Sequence, residues 1–461
     1  MKTWRYFYRR QAAALFAAAT IACAAEPAAP PLYDKDPRHL WNRLYAALMM
    51  PEEEGKALPP DLLDPPITAI ELLQRERGQS AAMALLREFV KSGPRPETMS
   101  PLQRAVMQRD LLAVFHLIAF RQPGEAWTAP QRELLAPLAQ AIRHVALTAE
   151  EIKKLPDNYA AAAGAPEAVT AYDRGKLGAF LPKDLLASDG PWIVLGAKQG
   201  TSTGGGSVAH FHFEKFAGRA SFEVRMRHPG GRAAGEAYLK SLAEMKDPRV
   251  LEKPENVERL LPNGVGPGPW PNPDTPQFPA GTMWALVRRP LLVDRNGKMT
   301  VAPLVESVQV RVYNSVTGED TRKTPEYQAE LDALRDQNRQ IDFDDLLLKH
   351  YQTAFEWEMQ RSLLLGKGGF HLTTAEDLQY SHFAPVEGKG PVTRFCIQCH
   401  VAPGIHSVHS RAGLFRSEPL LRFPEFEPAS RESLDRLTLH YAGKFPAWAL
   451  LDWLWADKAG P

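Results

Sequence analysis

The chain has 461 residues, 44% hydrophobic and 24% charged, with a formal net charge of +1. That length accommodates two or three domains and at least one large core. The near-neutral balance excludes a basic field for nucleic acid and an acidic interaction tail.

The first element in chain order is an export signal over residues 1–25. Lys2, Arg5, Arg9 and Arg10 form a basic start, and residues 12–22 form an apolar run too short to span a bilayer comfortably. Small residues before Glu26 offer an A-x-A-like cleavage site. The competing readings are a membrane anchor or an N-terminal helix. Cys23 is a candidate lipid anchor, but Thr20-Ile21-Ala22 makes a poor lipobox. Arg9-Arg10 resembles a twin-arginine signal only in that pair. If cleavage falls after Cys23, the mature chain keeps Cys396 and Cys399 as its only cysteines, and no disulfide framework is left to build. No later segment is apolar enough to cross a membrane.

Residues 26–180 read as a helical N-terminal region. Leu102, Ala105, Val106, Leu112, Phe115 and Ile118 recur at helical spacing after Pro101. Leu134, Leu135, Leu138, Ile142 and Val145 do the same after Thr128-Ala-Pro130, a cap with proline in the first turn. Thr148-Ala-Glu-Glu151 fits a capping box. Residues 67–90 are a further helix candidate, weakened by Gly78.

Residues 181–320 read as a β-rich domain. Residues 192–195, 210–213 and 220–226 alternate or run apolar over strand lengths. Residues 283–293 and 298–313 flank Asp294-Arg-Asn-Gly297, and Asn-Gly between strand-like runs signals a hairpin. Residues 230–242 predict one helix among these strands. The glycine-rich stretch 201–207 lacks the ending of a phosphate loop and reads as a connection. His210 and His212, two apart on a strand, point to one face, as some metal sites present imidazoles; the plainer reading is a solvated face over phenylalanines.

Residues 321–461 read as a mainly helical C-terminal region. Residues 343–365 predict one long helix stopped by Gly366, and residues 430–457 predict a last helix broken at 443–446. Asp342, Asp344 and Asp345 favour the start of the former. Between the two lies Cys396-Ile-Gln-Cys399-His400. Two thiols one helical turn apart can add to the two vinyl groups of haem, and the next residue then presents its imidazole to the iron. Chance occurrence of such a motif in a chain like this is on the order of 1 in 1,000. Export agrees, because haem is attached to these motifs outside the cytoplasm. The rival is zinc on Cys396, Cys399, His406 and His409, four ligands of suitable type, which would leave His400 without a role.

Through Cys396, Cys399 and His400 the sequence resembles the c-type cytochromes. The resemblance covers the motif and at most the last hundred residues. It implies one covalent haem c with His400 as proximal ligand, and a redox partner protein. The departure is distal: small c-type cytochromes use a downstream methionine, and no methionine follows Met359 here. Candidates for the sixth ligand are His382, His409, His440 and Met359, with His371 also on a flanking segment. His406 is only six residues past His400, and going round the ring takes roughly 15–20 Å, near the full reach of that segment. In placing the motif after a β-rich domain, and in Phe278-Pro-Ala-Gly-Thr282, the chain is also similar to the P460 cytochromes, which implies a haem enzyme; their haem-linked lysine has no identified counterpart.

These readings together predict an exported α+β protein, periplasmic or at the cell surface, carrying electrons through one haem c. The alternatives are a haem enzyme or small-ligand sensor with an open sixth position, and a zinc-stapled binding protein. No hydrolase elbow, zinc-protease helix or dinucleotide fingerprint is present.

Overall fold

The computed structural model describes residues 32–49, 76–92, 98–119, 129–165, 170–172, 180–197, 218–245, 249–250, 252, 270–316, 322–337, 352–366, 369–373, 404–409 and 426–456. The N-terminal helices are α1 (Leu40–Met49), α2 (Glu76–Ser92), α3 (Pro101–Ala119), α4 (Ala129–His144), α5 (Ala149–Lys153) and α6 (Asn158–Ala163). The capping box predicted at Thr148 forms: its hydroxyl accepts from Glu151 N, and Glu151 returns the bond to Thr148 N at 2.7 Å. Helix α3 is buried on all sides, because it lies between its neighbouring helices and the end of the sheet.

Strands β1 (Trp192–Ala197) and β2 (Ala220–Arg227) follow, then α7 (Arg232–Glu244) and a small ribbon of β3 (Arg249–Val250) with β4 (Trp270–Pro271). The predicted hairpin forms between β5 (Met283–Val293) and β6 (Met299–Val301). Gly297 has φ +82°, and Asp294 Oδ1 accepts from Asn296 N and Lys298 N, so the turn residues do what their chemistry allows. The second arm does not run on unbroken. It leaves β5 after Val301 and returns as β7 (Ser307–Tyr313), pairing further back along the same strand.

After α8 (Pro325–Asp336), the reading of one helix over 343–365 is corrected. Gln352–Met359 is a strand, β8, followed by a 3-10 turn at Arg361–Leu365. Phe355, Trp357 and Met359 alternate with Glu356 and Glu358, a period of two that β7 satisfies along seven residue pairs. Gly366, at φ +73°, ends the turn. Then come β9 (Phe370–Leu372), α9 (Ile405–His409), β10 (Phe426–Pro428), α10 (Arg431–Ala442) and α11 (Pro446–Ala456). The break predicted between the last two helices is present.

The chain is therefore α+β, with helices at both ends and an antiparallel sheet between. Its strand order is β10-β1-β2-β5-β7-β8-β9, with β6 added on β5. The sheet thus draws strands from both sides of residue 321. One face buries Val287, Val308, Val310, Phe355, Tyr159 and Phe180. The other, under α7 and α9, buries Ile193, Met226, Trp284, Tyr313 and Phe278. Helices α1 to α4, α10 and α11 share the largest core with the far end of β5. Among the described residues, no helix is long and apolar enough to cross a membrane.

Candidate functional site

The Cys396, Cys399 and His400 motif lies outside the described residues, as do His382, His210, His212, the 201–207 stretch and the N-terminal signal with Cys23. The described chain resumes four residues past His400, at Gly404, and there it is tied to the sheet. Ile405 N donates to Gln277 Oε1 at 2.9 Å. Ile405 is fully buried among Phe278, Trp284 and Tyr313. Ser407 Oγ meets Tyr313 OH at 3.1 Å. Burial, and the hydrogen bond to Ser407 less strongly in the other direction, leave the Tyr313 phenol above its ordinary range. Phe278 packs edge-on against Tyr313 at 4.8 Å and against Tyr238 at 6.0 Å, so the anchor rests on a rigid aromatic floor.

Gly404 makes this close approach feasible. Its φ is +55°, and an added Cβ would overlap the Gln277 amide and press on Val316 O at 3.2 Å. Gly404→Ala is expected to cost about 1–2 kcal/mol from the left-handed backbone alone, with a further loss as the Gln277 bond breaks. Thermal denaturation of the purified protein reads both effects; an unchanged midpoint would show that the anchor does not matter.

The remaining sixth-ligand candidates lie apart. His440 is on the exposed side of α10, its ring 5.4 Å from Tyr441. Met359 is fully buried in the main core, on the face of β8 shared with Phe355 and Trp357. His371 sits on β9 opposite Glu358. Positions 406 and 409 both fall within α9, one helical turn apart. Among the described residues, no group of three or more histidine, cysteine or acidic side chains is placed to hold a metal ion.

Sequence reasoning missed a buried polar system at the opposite end of β7 from this anchor. Arg361 grips Asp110 with two bonds, at 2.8 and 2.6 Å, and stacks over the Tyr45 ring at 4.4 Å. Tyr33 OH also donates to Asp110, and Arg109 bonds both Asp110 and Glu306. Glu306 meets Arg288 at 3.1 Å, and Arg288 approaches Glu358 at 3.8 Å. Burial would raise the Asp110 carboxyl, but the guanidiniums of Arg361 and Arg109 outweigh it and hold it below its ordinary value. Burial, then the Asp110 charge, lifts the Tyr33 phenol well above its ordinary value. Arg109-Asp110 shares α3 with Gln103, Arg104, Gln108 and His116, so the sequence does not single it out.

The far end of this system lies on the sheet face that carries α9. Gln309 Nε2 donates to Glu356 Oε1 at 3.0 Å. Burial and then the neighbouring Glu358 charge push the Glu356 carboxyl up to about 7, against the pull of Gln309, Arg288 and Arg311.

No family model matches the chain, and no curated protein or solved structure matches it. The functional reading therefore rests on the residues themselves.

Proposed function

We propose that the chain is an exported mono-haem c-type cytochrome, periplasmic or at the cell surface, that passes electrons to or from a redox partner protein. The observation that carries this reading is Cys396-Ile-Gln-Cys399-His400. Its donor set fits haem c: two thiols spaced for two vinyl groups, then an imidazole for the iron. When bound, the haem would supply a one-electron ferric–ferrous couple. The chain's own part is to tether that group. The anchor at Gly404 to Ser407 supports this role, because it fixes the chain to an aromatic floor a few residues past the motif.

A second reading has its own support. The segment that follows the motif, residues 404–409, packs on an antiparallel sheet, and half-buried charged groups occupy the same sheet face. That setting suits a haem with an open sixth position, which binds small ligands rather than only passing electrons. One experiment separates the readings. The protein is produced in a host competent for haem attachment, and its pyridine haemochrome spectrum is recorded. The spectrum of thioether-linked haem is expected. Carbon monoxide is then added to the ferrous protein. An unchanged spectrum is the result expected of a carrier, and a shifted one assigns the open site. A colourless, zinc-containing protein would overturn both haem readings and leave the zinc set of Cys396, Cys399, His406 and His409.

A further inference from the structure

Helix α10 crosses the sheet on the face opposite α7 and α9, and charged side chains meet beneath it. Thr438 Oγ1 of α10 lies 3.4 Å from Ser221 Oγ of β2. Glu223 and Arg225 follow Ser221 on the same face of β2, and Arg289 stands opposite Ser221 on β5. Ser221, Glu223, Arg225 and Arg289 are all buried. On α10, Arg431 and Asp435 share one side with Thr438 and are half-buried, so they form the mouth of the cluster. Both act electrostatically on Arg289.

The two carboxylates already have arginine partners. Glu223 accepts from Arg225 Nε, and Arg225 also donates to Leu185 O. Asp435 lies 3.8 Å from Arg431. Arg289 is left over. Its Nη1 donates to Pro303 O at 3.0 Å, but Glu223 Oε2 stands 4.0 Å from its Nε, beyond hydrogen-bond reach. Among the described residues that Nε has no hydrogen-bond partner, although Arg289 is only 3% exposed. Three guanidiniums thus face two carboxylates, and the deepest lacks a hydrogen-bonded counter-ion. A buried charge in that condition is costly. Burial accordingly brings the Arg289 guanidinium down to about 10, which leaves it cationic at neutral pH.

We infer that this cluster is a binding site for a small inorganic oxyanion of the phosphate or sulfate class, held by Arg289 with Arg431 at the mouth. Planar guanidiniums offer such ions paired N–H donors. Depth selects a free ion, because a phosphoryl group carried on a protein or a lipid does not reach a side chain so enclosed. The Arg431–Asp435 pair is loose and partly solvated, so an arriving anion can take the place of the carboxylate beside Arg431. Burial pushes the Asp435 carboxyl up despite Arg431 and Arg289, so its charge is a poorly held counter-ion there. Binding is non-covalent and does not depend on the haem reading.

The test is equilibrium dialysis of the purified protein against radiolabelled inorganic phosphate at neutral pH. Native protein is expected to take up phosphate saturably, one ion per chain. Sulfate should compete, and chloride at the same ionic strength should compete far less. Arg431→Gln, at the half-buried mouth, is expected to weaken binding about 10-fold or more, and Arg289→Gln to abolish it. Asp435→Asn is expected to tighten binding, because a like charge beside the anion is gone. Where Arg289→Gln does not fold, the opposite effects of Arg431→Gln and Asp435→Asn decide. No saturable uptake by native protein overturns the inference. So does uptake unchanged in the arginine variants, or chloride competing as well as sulfate.

Discussion

Replacing Cys396 and Cys399 together by serine is expected to abolish covalent haem attachment. A serine hydroxyl does not add to a haem vinyl group, so neither thioether forms. Each single replacement leaves one linkage and is expected to give a lower yield of coloured protein. Far-ultraviolet circular dichroism of each variant, compared with native protein, shows whether the α+β fold is retained. The histidines separate haem from zinc. Under the haem reading, His400→Ala changes the visible spectrum and His406→Ala leaves attachment intact. Under a zinc reading the pattern reverses, because His400 has no place in that ligand set. Visible spectra and metal content of the purified variants read all four outcomes.

The second large effect is expected at Asp110. Asp110→Ala removes a carboxylate that Arg361 holds with two bonds, that Arg109 shares and that Tyr33 caps. All four side chains are buried. Deleting one partner of a buried ion pair typically costs about 3–5 kcal/mol, because it leaves buried guanidinium charge less well compensated. The loss would fall where α1, α3, the end of β7 and the turn after β8 meet. The denaturant midpoint of Asp110→Ala against native protein is the measurement, and a change below about 1 kcal/mol would show that the network adds little. The pH dependence carries the same sign. Asp110 has a lowered folded value, so its contribution is present above the ordinary carboxylate range and is lost as pH falls through the folded value. Acid unfolding of the native protein should include this loss, and Asp110→Ala should lack it.

Much of the fold was legible because local rules agree with tertiary structure. Thr148 and Glu151 form the box their spacing predicts, Asn296-Gly297 turns a hairpin, and the last helix breaks between residues 443 and 446. Strand β8 was not legible in that way. Its alternation of Phe355, Trp357 and Met359 sits among good helix formers, and the deciding factor is the unpaired edge of β7, which is non-local. Strands β9 and β10 are three residues each, too short to carry a period of their own.

The candidate site divides in the same manner. The motif Cys396-Ile-Gln-Cys399-His400 is contiguous and could be read directly. Its anchor joins Gln277 to Ile405, 128 positions apart, and the Glu356 pair with Gln309 exists only through strand register. Arg109 and Asp110 lie in a helix that also carries Arg104, Gln108 and His116, so the sequence does not single them out. Their partners, Tyr33, Glu306 and Arg361, come from three distant segments, and no pattern in the sequence links them.

The most direct test of the central claim is the intact mass of the protein after acid–acetone extraction, with the peptide carrying Cys396 and Cys399 sequenced by fragmentation. A mass increased by one haem, with the increment on that peptide, is the predicted result. A mass equal to the bare mature chain, with both thiols free to alkylation, would contradict it.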